Sequence, residues 1–221
     1  MYLSKVTLQP SAHTAVELAR LNKNGAYSAH QLIWRLFTVD TQRNFLFREE
    51  VGINGMPDFY VLSENKPFAK NALFNIQSKL FKPQLQKGQR LAFKLRANPT
   101  VCITSNGKSK RHDVLMHAKK QQRDSANNSN LGYLMSQVAQ TWFANEKRLD
   151  SWGITLDVLP EVQAYVQHKS QKKNGQSIQF SSVDFEGVIT LSDPEKFLRQ
   201  YRSGFGRAKS LGCGLMLIRP L

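Results

Sequence analysis

The order of elements predicts an α+β protein built from two tandem ferredoxin-like β-α-β-β-α-β domains. Three observations carry that expectation. Short alternating segments bounded by turn residues read as strands. Two amphipathic stretches at helical spacing, one early and one late, read as helices laid on a sheet. A Pro- and Gly-bounded stretch at 83–89 divides the chain into similar halves, residues 1–82 and 90–221.

In the first half, Tyr2 to Leu8 alternates in character and reads as a strand. Residues 10–24 form a polar insert with room for a short helix around Ala15–Ala19. From Tyr27 to Phe37, the apolar residues Ala29, Leu32, Ile33, Leu36 and Phe37 fall at helical spacing and mark one buried face. Segments 44–48 and 59–63 read as strands joined through the Gly52–Pro57 turn region. A short turn or helix from Pro67 and a strand over 73–81 complete the first β-α-β-β-α-β order.

In the second half, Arg90 to Val101 alternates and opens a new sheet. Residues 106–130 are polar and basic, and read as a mobile loop. Leu131 to Leu149 reads as one strong helix. Strands are expected over 155–159, 162–169, 177–185 and 187–191. The 165–180 span makes a hairpin turning at Asn174-Gly175, with His168, Lys169, Lys172 and Lys173 as its basic residues. Asp193-Pro194-Glu195 opens a last helix, with Asp193 as N-cap and Pro194 in the first turn. The glycine loop Gly204–Leu215 then delivers the chain into a terminal apolar strand.

That loop has two readings on its residues alone. Gly204, Gly206, Gly212 and Gly214 make either a tight structural turn or a backbone cradle for phosphate. Arg207, Lys209 and Ser210 supply the charge and hydroxyl that a cradle would use. It follows no first strand and opens no helix, so a dinucleotide-binding fingerprint is a poor fit.

The chain of 221 residues carries 31 Lys plus Arg against 16 acidic residues, a formal charge of +15. Such an excess points to polyanionic partners. No apolar run reaches the roughly 18 residues of a membrane span. The first residues are too short an apolar stretch for a signal peptide. Two cysteines, Cys102 and Cys213, read as reduced thiols. The expectation is a soluble, cytoplasmic, polyanion-binding protein without a membrane partner. His112 and His117 bracket Asp113 but lack further ligands at a recognisable spacing, so no metal or small-molecule cofactor is expected. No Ser-His-Asp or Cys-His motif is present.

Several segments in order resemble one family. Met1-Tyr2-Leu3-Ser4-Lys5, Asn44-Phe45-Leu46-Phe47, Leu95-Arg96-Ala97-Asn98-Pro99, Phe185-Glu186-Gly187 and the 204–215 loop together resemble the CRISPR repeat-processing endoribonucleases of the type I-E Cascade complex. The stretches 10–24 and 104–130 depart from the family, as does Arg207, which stands where its pattern has proline. The resemblance implies tandem ferredoxin-like domains that grip a CRISPR repeat RNA hairpin in precursor crRNA. It implies metal-independent cleavage at the hairpin base by the substrate's 2′-OH, with the product retained as a Cascade subunit beside other Cascade proteins. Products would carry a 5′-hydroxyl and a 2′,3′-cyclic or 3′-phosphate.

The resemblance places a catalytic dyad on Tyr27 and His30, with Arg35 as a third member. Their spacing puts Tyr27 and His30 on one helix face, and His30 is a residue whose two protonation states are both populated near neutrality. Arg96, His168, Lys169, Lys172, Lys173 and the loop residues Gly204, Gly206, Arg207, Lys209, Ser210, Gly212 and Gly214 are the expected RNA contacts. Lys108, Lys110 and Arg111 are further phosphate-contact candidates. A non-catalytic RNA-binding subunit of a CRISPR ribonucleoprotein is the alternative, and Tyr27 with His30 is the feature that separates the two.

Overall fold

A computed structural model describes residues 1–37, 42–69, 72–105, 107–124, 131–172 and 174–221. Lys173 is therefore outside the described residues. The chain divides into two compact units. The first comprises 1–84, 168–179 and 208–215; the second comprises 85–167, 180–207 and 216–221.

The first unit opens with β1 (Tyr2–Leu8), followed by α1 (Ala12–Trp34), β2 (Phe45–Val51), β3 (Pro57–Ser63) and β4 (Phe74–Leu80). The sheet order is β2-β3-β1-β4, with every neighbouring pair antiparallel. This is the strand order of a ferredoxin-like fold. Its core is Val6, Phe47, Phe59 and Val61 from the sheet, against Ala29, Leu32, Ile33, Leu36 and Phe37. The apolar face read from the sequence is thus the buried one.

Two expectations for this unit change. Residues 12–24 are helical and run into the next helix, with Gly25 as a kink at φ 43° and ψ −125°. Ser11 caps the start by accepting the Thr14 N–H at 3.1 Å. The buried positions are Thr14, Glu17 and Leu21, a helical spacing hidden by two polar residues. Of the short turn or helix expected from Pro67, no helix occurs among the described residues between β3 and β4, and Asn71 lies outside them.

The second unit carries β5 (Arg90–Ala97), β6 (Thr100–Ser105), β7 (Lys108–Asp113), α2 (Val114–Asp124), α3 (Leu131–Phe143), α4 (Glu146–Trp152) and β8 (Ile154–Thr155). Along the chain there follow β9 (Glu161–Gln171), β10 (Ser177–Leu191), α5 (Pro194–Ser203), a 3-10 turn at Lys209–Leu211 and β11 (Met216–Pro220), of which the β9–β10 tip and the 3-10 turn belong to the first unit. The order β11-β5-β10-β8, with β9 also pairing β10, repeats the ferredoxin-like arrangement. An aromatic core of Phe93, Trp142, Phe143, Trp152, Phe185, Phe197 and Phe205 fills it. Phe93 and Phe143 stack at 5.3 Å.

Here the expected mobile loop over 106–130 is largely ordered structure. β6 and β7 pair antiparallel from Thr100↔Asp113 to Ser105↔Lys108. β7 is polar at every position, which leaves no alternation to detect. The expected single helix over 131–149 is two, because Asn145 accepts the Arg148 N–H and starts α4 anew. Of the expected 155–159 strand only Thr155 is in a strand; Val158 and Leu159 are exposed. The strands expected over 177–185 and 187–191 are one, β10. Asp193 caps α5 as expected, accepting from the Glu195 and Lys196 N–H groups. Cys102 and Cys213 are free thiols. No described helix is long and apolar enough to cross a membrane.

Candidate functional site

Within the first unit, α1 and the tip of the β9–β10 hairpin wall a cavity of about 540 Å³. Arg20, Lys23, Tyr27 and Gln31 contribute from the helix; Lys169, Lys172 and Ser177 contribute from the hairpin. Asn24 joins the two walls. Its side-chain amide donates to the Gln171 carbonyl at 2.8 Å and accepts the Gln171 N–H at 2.7 Å. Ser170 Oγ donates to the Asn24 carbonyl at 3.0 Å. Pairing one amide with both groups of a peptide unit fixes register as well as distance. The hairpin tip is closed by Lys172 N–H to Gln176 O and by Gly175 N–H to Lys172 O, both at 2.9 Å. Gly175 takes φ 82°, a left-handed conformation that favours glycine at the expected turn.

The three expected catalytic residues all lie on or beside the second half of α1. Tyr27 lines this cavity, and its hydroxyl accepts from Gln31 Nε2 at 3.0 Å. His30 is not among the lining side chains. Its ring stands edge-on to Trp34 at 5.5 Å and stacks on Phe45 at 6.0 Å. Burial holds its imidazole below the ordinary histidine value, and the nearby Arg43 charge adds to the effect. His30 Nδ1 is buried and has no hydrogen-bond partner among the described residues. Arg35, the C-cap of α1, donates from Nη1 to Glu17 Oε1 at 2.8 Å. The same oxygen accepts from Arg20 Nη1 at 2.8 Å.

The expected RNA contacts are distributed. Lys169 and Lys172 are exposed on the hairpin tip, with Lys172 Nζ on Gln176 Oε1 at 2.9 Å; His168 is half-buried at its base. Arg96 on β5 is engaged by Asp184 of β10 through two bonds, at 2.9 and 2.8 Å. A phosphate contact from Arg96 would compete with that bidentate pair.

In the glycine loop, Gly204, Gly206, Gly212 and Gly214 all take φ between 75° and 89°. Gly204 ends α5, and a Cβ on Gly212 would stand 3.4 Å from the Phe47 ring. Arg207 is exposed and bridges to Asn98 in antiparallel fashion; Lys209 and Ser210 are half-buried in the 3-10 turn. The glycines thus have structural reasons to be glycine, beside any role at a ligand.

Sequence reasoning did not find Asn24, Gln31 or Ser170. Asn24 next to Gly25 is an ordinary turn signal, and its partners come from a segment 146 and 147 residues away. No local spacing could reveal them. Among the described residues no group of three or more His, Cys, Asp or Glu is arranged to hold a metal ion.

A two-unit α+β chain with a kinked helix against a basic hairpin defines the class, and comparison with known proteins gives the family. A family model described as CRISPR associated protein matches residues 1–220. The chain is 32% identical to the CRISPR system Cascade subunit CasE of Escherichia coli K12, with all of both chains covered. It is 28% identical to the CRISPR-associated endoribonuclease Cse3 of Thermus thermophilus, again over the whole of both. Among solved structures it superposes on Cse3 bound to a 19-nucleotide RNA with a TM-score of 0.73 at 24% identity, covering 100% of each chain. The Escherichia coli Cas6e structure matches with a TM-score of 0.66 at 26% identity, also over 100% of each. The chain belongs to the CRISPR-associated protein family of CasE type.

Proposed function

We propose that this chain is an endoribonuclease that binds the hairpin of a CRISPR repeat RNA, cuts precursor crRNA at the hairpin base and stays with the product among Cascade subunits. The relatives' names support RNA cleavage and Cascade assembly. Residues 1–82 and 90–221, joined by 83–89, are its two domains in sequence order, with 168–179 and 208–215 of the later stretch falling in the first compact unit.

The observation that carries the reading is His30. It is an imidazole of lowered pKa whose buried Nδ1 has no hydrogen-bond partner among the described residues, one helical turn from a tyrosine that lines a basic cavity. In the reaction the scissile ribose 2′-oxygen attacks the adjacent phosphorus as its proton passes to a base. The phosphorus–O5′ bond breaks, and the 5′-oxygen leaves with a proton from an acid. Products are a 2′,3′-cyclic phosphate and a 5′-hydroxyl, and no step calls for a metal. A neutral His30 suits proton acceptance in the free enzyme. Tyr27 completes the pair by donating or by orienting the phosphate, and Arg35 offers charge for the phosphorane. Lys169, Lys172, Lys173, His168 and the cations of the 204–214 loop hold the backbone of a duplex that is read by shape.

His30→Ala should slow single-turnover cleavage roughly 10²-fold or more while hairpin affinity stays within about twofold. Equal losses in both would make His30 a folding residue and favour a non-catalytic RNA-binding subunit.

A further inference from the structure

The β6–β7 hairpin, which carries the candidate cations Lys108, Lys110 and Arg111, and α2 form a second basic feature, apart from the cavity lined by Tyr27. A cavity of about 730 Å³ lies here, within the second unit. It is lined by Ile103, Met116, Lys119, Lys120, Arg123 and the imidazoles of His112 and His117, whose ring centroids are 5.7 Å apart. The cross-strand pairs Ile103↔Lys110 and Val101↔His112 add Lys110 to the same face of the hairpin.

The acidic group in the lining does not offset this charge. The Asp113 carboxylate accepts the Met116 N–H at 2.8 Å, and its other oxygen accepts from Ser181 Oγ. It is thereby turned onto the start of α2 and into the fold. Lys110, Lys119, Lys120 and Arg123 make no ion pair among the described residues.

A lining that sets ring and apolar side chains beside cations suits an occupant with flat apolar faces and a regularly spaced anionic backbone. Single-stranded RNA has both: bases stack on ring side chains while phosphates take the cations. A duplex keeps its bases stacked inside and leaves the rings unmatched. An acidic peptide would satisfy the cations and leave Met116, His112 and His117 unmatched.

From this we propose that the β6–β7–α2 cavity is a binding site for single-stranded RNA continuous with the repeat hairpin. The inference rests on the RNA-binding reading above and adds a second, separable part of the substrate.

The test compares the full chain with a Lys119→Ala/Lys120→Ala/Arg123→Ala variant on two RNAs, the minimal repeat hairpin and the same hairpin with a ten-nucleotide single-stranded extension. We expect wild type to bind the extended RNA more tightly. The variant should lose about tenfold on the extended RNA and keep both affinity and cleavage on the minimal hairpin. Its salt slope for the extended RNA should be shallower by about 2, for roughly three released counterions at −0.7 each. A 2-aminopurine in the extension should be quenched on binding, and His117→Ala should remove the quench. Equal losses on both RNAs would assign the cavity to the hairpin site and overturn the proposal. So would unchanged affinity for both, including the case in which only a polyglutamate probe loses binding. If wild type bound neither RNA, the function itself would fall; intact hairpin binding and cutting with no gain from the extension would sink this inference alone.

Discussion

Arg35 Nη1 donates to Glu17 Oε1 at 2.8 Å, across eighteen residues of a single helical run. An unbroken helix would separate these positions by about 27 Å along its axis at 1.5 Å per residue. The bend at Gly25 is therefore what brings them together, and Glu17 holds the bend by accepting from Arg20 as well. Gly25 needs φ 43° with ψ −125°, and a Cβ there would meet nothing within 4 Å. The cost of Gly25→Ala is thus backbone strain alone, about 1–3 kcal/mol. Glu17→Gln should cost about 1 kcal/mol, since Arg35 is half exposed and keeps its hydration. Urea melts of both variants check this; an unchanged midpoint for Gly25→Ala would mean that the bend is not set by this glycine.

The Asn24 amide is the corresponding fastener between the helix and the hairpin tip. Asn24→Ala removes two direct bonds to Gln171, each worth about 0.5–1.5 kcal/mol. Hairpin RNA should then bind about tenfold more weakly, while the cleavage rate of fully bound RNA changes little. Hydrogen exchange at Gln171 should speed up in parallel. Slower cleavage at saturating enzyme with unchanged affinity would place Asn24 in the chemistry instead.

His30 predicts a pH effect with a definite sign. Its folded-state pKa lies below 6.5 because burial disfavours the imidazolium. The unfolded chain therefore takes up this proton first, and stability falls as pH drops below about 6.5 until the folded histidine also protonates. His30→Gln should flatten the melting temperature between pH 7.5 and 5.5 relative to wild type. The acid limb of kcat/KM should have its midpoint below 6.5 if His30 is the base. A steeper loss of stability in the variant would reverse the sign of the argument for His30.

Legibility in the sequence followed the strength of local pattern. The second half of α1 was visible because apolar residues repeat at helical spacing from Ala29, although the helix ends at Trp34 and Leu36 and Phe37 follow it; β1 and α5 were visible because alternation and an Asp-Pro-Glu start are local. The 12–24 helix was obscured by Thr14 and Glu17, polar residues buried on its inner face. β7 and α2 were missed because Lys108–Asp113 is exposed along most of its length and carries no apolar alternation. Tyr27, His30 and Arg35 were nominated through the family resemblance and stand as proposed site residues. The Asn24–Gln171 contact and the Arg96–Asp184 pair were not, since both join segments far apart in the chain.

Cleavage in EDTA tests the central claim most directly. The substrate is the cognate CRISPR repeat RNA, alongside a copy carrying a single 2′-deoxy substitution at the scissile nucleotide. The account predicts that the first is cut without added metal and that the second is bound and left intact. Cutting of the deoxy copy, or cutting that requires magnesium, would contradict attack by the 2′-oxygen at a site organised by Tyr27 and His30.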